Sequence, residues 1–340
     1  MTEYATDAIE WLELPPRDNA SSCASLQYGA GRIAGEYCRL RHIPTELNGH
    51  WQHGWHLKQL AVDPRMVANE TVKEPGVEQC WVARKDEEDY LKDQGYLARA
   101  IGLPIAYVPN RNYQRRRNSL LVMPAHSLDF TTHKWRFSEY IEEIAKIRSD
   151  FDTVMACIHP ACARKGYWIH DFRRLGIPII LGAEAGDRLS LVRIRALMSQ
   201  FEFVTGNAYG SYIAYACAFG AKLSIYGPYC EYKAEDYANT DFYRENPGIL
   251  DKIIPMLSED SIRAFLPEFF HHPAEAISRT TWGLDQIGFF NRLSPEEMKV
   301  AFEWSDWQHY RKETLRKFTS LARRAVPKPI RIQIKRAIGR

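Results

Sequence analysis

Residues 152–226 read DTVMACIHPACARKGYWIHDFRRLGIPIILGAEAGDRLSLVRIRALMSQFEFVTGNAYGSYIAYACAFGAKLSIY. Four apolar runs stand in it: TVMACI at 153–158, IPIIL at 177–181, FEFVT at 201–205 and KLSIY at 222–226. Segments of helical length separate them. Strands alternating with helices at this spacing predict a parallel α/β sheet. Ligands of such sheets sit at the C-terminal ends of the strands. Two polar turns fall there. One is His159-Pro160, and the other is Thr205-Gly206-Asn207-Ala208-Tyr209-Gly210-Ser211.

Upstream, SLLVMPAHS at 119–127 predicts the first strand of the same half and ends in Pro124, His126 and Ser127. A helix over 136–149 leads to the next strand. Further upstream the pattern is less regular. The stretch 19–41 predicts a helix, and 77–84 (VEQCWVAR) a strand. Carboxylates at 86–89 suit the positive end of a helix running to about Gly102. PIAYV at 104–108 predicts another short strand. Residues 109–118, PNRNYQRRRN, have no apolar periodicity and read as a linker or loop. After Tyr226 come short helical pieces near 257–270, 273–285 and 294–305, then a basic helix over 305–325. The expected organisation is an α/β chain of two Rossmann-like halves facing a cleft. Its domains are 1–116, 117–290 and a helical extension with a basic tail at 291–340.

The composition bounds the class. The chain has 340 residues, 45% hydrophobic and 26% charged, as in a soluble globular protein. No apolar run reaches 18 residues, so no membrane-spanning helix is expected. The acidic start, MTEYATDAIEWLELPPRD, lacks the basic-then-apolar order of a signal peptide. Seven scattered cysteines, an odd number, read as reduced thiols in a cytoplasm. Residues 311–340 hold eleven Lys or Arg and one acid, Glu313, so this tail is +10 and the rest −7 against an overall +3. Such a tail suits an anionic membrane surface. Its basic residues are not interleaved with aromatics in the manner of a nucleic-acid site, so no nucleic-acid partner is expected.

Several residues are candidates for chemistry. Small residues at 205–211 let backbone N–H groups approach an anion at a helix start, with Thr205, Asn207 and Ser211 adding polar groups beside Gly206 and Gly210. His159 can donate to a phosphate oxygen, Pro160 fixes its turn, and Arg164 adds charge. His126 and Ser127 occupy an equivalent strand end. Glu184 is placed to bind a sugar hydroxyl. In the first half, GHWQHGWH at 49–56 gathers His50, His53 and His56 with two tryptophans. Imidazole suits general-base work on an acceptor hydroxyl, and the three-residue spacing leaves a metal or a structural aromatic turn as alternatives. Asp150-Phe151-Asp152 matches D-x-D and reads as a solvated turn. No P-loop or dinucleotide fingerprint is present, and no metal or cofactor is expected.

The His159-Pro160 turn and the later turn at 205–211 resemble paired motifs of bacterial sialyltransferases and Kdo transferases. These are GT-B-fold glycosyltransferases of surface-polysaccharide assembly. In those families the motifs bind the CMP part of the donor. The stretch His53-Gly54-Trp55-His56-Leu57-Lys58 is also similar to the H-G-x-x-L-K part of a segment of CDP-glycerol glycerophosphotransferases, whose His is a base. Gln52 stands where that family has Trp. Glu87-Glu88-Asp89 precedes Tyr90, so the acidic motif ending in Gly that marks the sialyltransferases is absent. The resemblance spans residues 45–230. It implies transfer of a sugar from a nucleotide-activated donor, CMP-sugar above others, to a glycan or lipid-linked acceptor, and the basic tail places this at the inner face of a membrane. A polyol-phosphate transferase, a sugar epimerase and a non-catalytic carbohydrate- or nucleotide-binding protein are the other readings.

Overall fold

The computed structural model describes residues 7, 9–18, 24–68, 72, 74–129, 131, 133, 135, 137–237 and 240–304. The basic helix and tail expected from 305 onward lie outside the described residues. Two parallel sheets organise the chain. The first holds β1 (His50–Trp51), β2 (Gln79–Val82) and β3 (Leu97–Ala100) in the order β1-β2-β3. The second holds β4 (Arg116–Val122), β5 (Thr153–Ile158), β6 (Ile179–Leu181), β7 (Phe201–Gly206) and β8 (Lys222–Ile225). Its order is β6-β5-β4-β7-β8, and every pairing is parallel.

The helices follow in chain order. They are α1 (Ala30–Tyr37), α2 (Pro64–Ala68), α3 (Lys85–Asp93), α4 (Phe137–Ile147), α5 (Pro160–Arg164), α6 (Ile169–Arg174), α7 (Ser190–Gln200) and α8 (Tyr212–Ala218). Beyond the large sheet come α9 (Asp241–Glu245), α10 (Pro247–Met256), α11 (Glu259–Phe265), α12 (Thr280–Gln286) and α13 (Pro295–Ala301). No helix among the described residues is long and apolar enough to cross a membrane.

The large sheet is buried on both faces, which is why its strands read as continuous apolar runs. Alternate residues enter different cores. Leu121, Met155, Cys157, Ile180 and Val204 face α7 and α8, whereas Leu120, Val122, Ala156, Ile158 and Phe203 face α4 and α6. The six described cysteines are buried free thiols, and burial pushes Cys157 and Cys217 up to about 12. The α7/α8 core continues without a break into the first half, through Trp51, Trp81 and Ile101. Residues 291–304 belong to that packing. Phe302 contacts both Trp51 and Trp81, and the Leu293 N–H donates to the Tyr107 hydroxyl at 2.8 Å. The expected extension from 291 therefore starts as part of the first half's core.

The first half and the stretch that leaves it depart from the sequence reading in four places. The helix expected to reach Gly102 stops at Asp93, because Gly95 takes φ +82° and turns the chain. The residues that follow form β3, a strand the sequence reading lacked. PIAYV is not a strand. Pro104 cannot donate to a ladder and opens a 3-10 turn over Pro104–Tyr107, closed by Ala106 N–H to Leu103 O at 2.9 Å. The helix expected over 19–41 is α-helical only over α1. A 3-10 turn precedes it, and Tyr28 breaks the helix with φ 59°. The polar stretch 109–118 is not wholly a loop, since its last three residues open β4.

Candidate active site at the strand switch point

Strand order in the large sheet reverses between β4 and β7. The chain moves outward from β4 to β6, then returns to pair β7 on the other side of β4. Loops leaving β4 and β7 must part in opposite directions, and a crevice opens at their C-terminal ends. A cavity of about 370 Å³ lies there, the size of a small-molecule site. Its walls include the turns after β4, β5 and β7, the α7 residues Leu191, Ile194 and Met198, and His53 and Gly54 from the first half. A second cavity of about 700 Å³ adjoins it, on the side of Gln52, His56, Arg164 and Glu184. Tyr28, His53, Gly54, Leu128, His159 and Ser211 line both.

Hydrogen bonds hold the histidine turn of the first half onto the turn after β7 and onto α8. Trp55 N–H donates to Ser211 Oγ at 3.0 Å, Leu57 N–H to the Tyr209 hydroxyl at 2.9 Å, and the Tyr215 hydroxyl to His53 O at 3.3 Å. Gly54 makes the approach possible, because a Cβ there would lie 3.0 Å from Ser211 Oγ. Behind the turn, the buried Arg84 guanidinium donates to His56 O from both Nη atoms. Tyr28 stacks on the His53 ring with centroids 5.6 Å apart. Its left-handed backbone is held by Tyr28 N–H to Ala185 O at 2.9 Å. Strain of this kind gathers at working sites.

The two strand-end histidines meet. His126 and His159 stack with centroids 4.8 Å apart and planes 23° from parallel. His159 Nδ1 accepts the Ala161 N–H at 3.2 Å, which places the ring proton on Nε2. Burial first, then His126, Arg164 and Lys165, hold His159 down to about 2. Burial lowers His126 and His53 as well. Those two rings open onto the cavity, so the surrounding protein, not direct covering, disfavours their charged forms. His56 is lowered to about 4, and its Nε2 is buried with no partner among the described residues. At neutral pH these histidines are uncharged, as acceptors of a proton or neutral N–H donors.

Other predicted residues play structural parts. His50 faces away from both cavities, with Nε2 3.1 Å from Glu78. Ser127 is fully buried: its N–H donates to Cys162 Sγ at 3.0 Å, and its hydroxyl contacts Thr131 Oγ1 and Lys165 Nζ. It therefore holds the loop and does not face a ligand. Thr205 lies within β7, fully buried, where its hydroxyl accepts from Ser224 at 2.9 Å. Asn207 is likewise fully buried. Its Oδ1 accepts from Ala125 N–H at 2.9 Å and its Nδ2 donates to Pro228 O at 3.0 Å, tying the β4, β7 and β8 loops together. Gly206 is a packing requirement, since a Cβ would sit 2.5 Å from Met123 O. Pro160 is buried at the first position of α5. Arg164 is engaged by Asp129 on two atoms at 2.9 and 2.8 Å and by Glu184 at 2.7 Å, so its charge is spent within the protein. Glu184 also pairs with Arg17. Asp150 pairs with His272 and Asp152 accepts from Asn118, as a surface turn does.

His53, His126, His159, Gly210 and Ser211 are thus brought together around one cavity, and His56, Arg164 and Glu184 around the next. The sequence reading missed the aromatic lining, Tyr28, Tyr212, Tyr215 and Tyr232. Only Tyr28 carried a local signal: it stands before Gly-Ala-Gly, which interrupts a helical pattern. The chain matches no known protein-family profile and no curated protein.

Proposed function

We propose that the protein is a GT-B-type glycosyltransferase. It would move a sugar from a nucleotide-activated donor, a CMP-sugar above others, to a glycan or lipid-linked acceptor. The observation that carries this reading is that His53 and His159 line both of two adjoining cavities. A donor in the switch-point cavity and an acceptor in its neighbour would meet at these two rings. Tyrosines in the first cavity offer flat faces to a nucleobase.

In the proposed reaction, neutral His53 takes the proton of an acceptor hydroxyl. The freed oxygen bonds the anomeric carbon as the bond from that carbon to the phosphate oxygen breaks. The phosphate leaves with the electron pair. His159 Nε2–H donates to it, with His126 stacked beside and the uncapped start of α8 adding backbone donors. The basic residues 311–340 would keep the enzyme on the inner face of an anionic membrane.

The test is a thermal-shift screen with CMP, CDP, UDP and GDP, followed by turnover of the matching nucleotide-sugar. Selective stabilisation by one nucleotide is expected, with His53→Ala keeping that shift and losing turnover. Absence of any nucleotide shift would overturn the reading. Nucleotide binding without turnover against a panel of glycan acceptors would favour a binding protein.

A further inference from the structure

The helix α7 has two lined faces. Leu191, Ile194 and Met198 look into the switch-point cavity, whereas Val192 and Arg195 line a separate cavity of about 530 Å³. The far wall of that cavity is the polar loop carrying Val108, Pro109, Arg111 and Tyr113, the stretch whose run of arginines the proposed reaction does not use.

Among the described residues Arg195 is a charge without a counter-charge. Its Nη1 donates to Val108 O and its Nη2 to Asn110 Oδ1 at 3.1 Å, both neutral acceptors. The Phe219 ring covers one face of the guanidinium, 4.6 Å from its carbon. Its Nε is buried and has no acceptor. Burial, then nearby Arg292, push this arginine down to about 10. Its neighbours do not compensate it. Arg292 and Arg115 donate to the backbone carbonyls of Ala106, Phe289, Phe201 and Phe219. Arg111 is exposed and has no ion pair among the described residues. The carboxylates of the cavity are taken at its other end, where Asp18 and Glu36 pair with Arg32, and Asp18 also with Arg188.

A partly buried cation is normally paired, because losing water costs several kcal/mol that neutral acceptors only partly return. A guanidinium carries five N–H groups. Two are used here and the buried one on Nε is out of reach, which leaves one on each Nη. A planar pair of donors in a cavity that a second arginine also lines suits an oxyanion with several oxygens. We propose that this cavity binds a phosphate-bearing ligand, gripped by Arg195 from α7 and Arg111 from the facing loop. The site is independent of the transferase reading, with the helix α7 standing between it and the switch-point cavity.

Free phosphates and phospholipid headgroups present the same chemistry, so two probes are needed. Pyrophosphate binding is measured by calorimetry, and binding to phosphatidylglycerol vesicles by sedimentation. Arg111→Gln is the safer variant, since it removes an exposed side chain that makes no ion pair among the described residues. Arg195→Gln is the stronger one. The expected result is that pyrophosphate binds the full chain, that Arg111→Gln weakens it at least about fivefold, and that Arg174→Gln, at an exposed arginine of α6 that lines neither cavity, leaves it unchanged. Dependence on Arg111 seen with vesicles alone would identify a headgroup as the ligand. If Arg111→Gln and a folded Arg195→Gln alter neither probe's binding, or if His159→Gln abolishes pyrophosphate binding while Arg111→Gln does not, the proposal fails.

Discussion

The Trp55 backbone N–H donates to the Ser211 hydroxyl at 3.0 Å, across 156 residues of sequence. This bond joins the histidine turn of one sheet's layer to the turn after β7 of the other. With the Tyr209–Leu57 bond beside it, it sets where His53 stands relative to His159. Trp55 is buried, so removing its acceptor leaves an unpaired donor. Ser211→Ala should cost about 1 kcal/mol, and Tyr209→Phe a similar amount. The double variant should cost other than the sum, because both bonds hold one turn. Urea unfolding of the four proteins checks this. If the turn serves the proposed reaction, turnover should fall more than nucleotide affinity.

Gly206 ends β7 where the sheet opens. Its backbone N–H and carbonyl serve an ordinary strand, and no unusual φ is involved. The constraint is room: an added Cβ would lie 2.5 Å from Met123 O and 2.6 Å from the Tyr212 ring. Gly206→Ala must therefore push β4 or α8 aside, and it should destabilise the protein by about 3 kcal/mol. Gly210→Ala, in the same turn, meets only the Tyr212 ring edge at 3.3 Å and should cost far less. A comparison of thermal midpoints separates a requirement for space from a general requirement for glycine in this turn.

The large sheet was legible because its strands are buried on both faces, so TVMACI and FEFVT stand out as unbroken apolar runs. That His126 and His159 stand at strand ends of one parallel sheet was legible, whereas their stacking needs β4 and β5 to be neighbours, which chain order does not fix. The roles of Ser127, Thr205 and Asn207 were not legible either. Their spacing is that of an anion-binding turn, yet each side chain points into the protein and satisfies a neighbour three or more residues distant. A sequence shows which polar residues stand at a strand end and not which way they face. The first half was harder. Its strands are two to four residues long, too short for periodicity, and β3 alternates exposed and buried residues as a helix edge can. His50 belongs to this class: it lies one residue before Trp51 on β1, and the alternation of the strand turns it to Glu78.

Lys165 holds the loop after β4 without a carboxylate. Its Nζ donates to Ser127 Oγ at 2.8 Å and to the carbonyls of Leu128 and Thr131. That loop carries His126 and Leu128 into the cavity. Lys165→Met should remove the one charged donor shared by three oxygens, leaving only the neutral contacts of Ser127 and Thr131 there, and loosen the cavity wall. If the cavity takes the proposed donor, the expected outcome is weaker nucleotide binding, by about tenfold, for a loss of about 1–2 kcal/mol in stability. Lys165→Arg should not restore it, since a planar fork cannot reach three oxygens arranged around a point. Calorimetric titration of the nucleotide that stabilises the wild type reads the result.

The cavity histidines make stability depend on pH in a definite direction. His56 is held at about 4 and His159 at about 2, against 6.5 for a free side chain, and burial lowers His53 and His126 too. The unfolded chain therefore takes up protons below pH 6.5 that the folded chain refuses. The stability these groups contribute is complete above pH 6.5 and is lost as pH falls toward their folded values. Carboxylates held low, such as Glu88 at about 2 against 4.5, add to the loss only lower down, whereas Glu87, raised by burial, opposes it. Between pH 6.5 and 4.5 the histidines dominate. Each fully depressed one contributes at most about 1.4 kcal/mol per pH unit, and those open to the cavity contribute less. Urea midpoints should fall steadily over this window. His56→Gln should make the fall shallower, and an unchanged slope in that variant would show that His56 is charged in the folded protein.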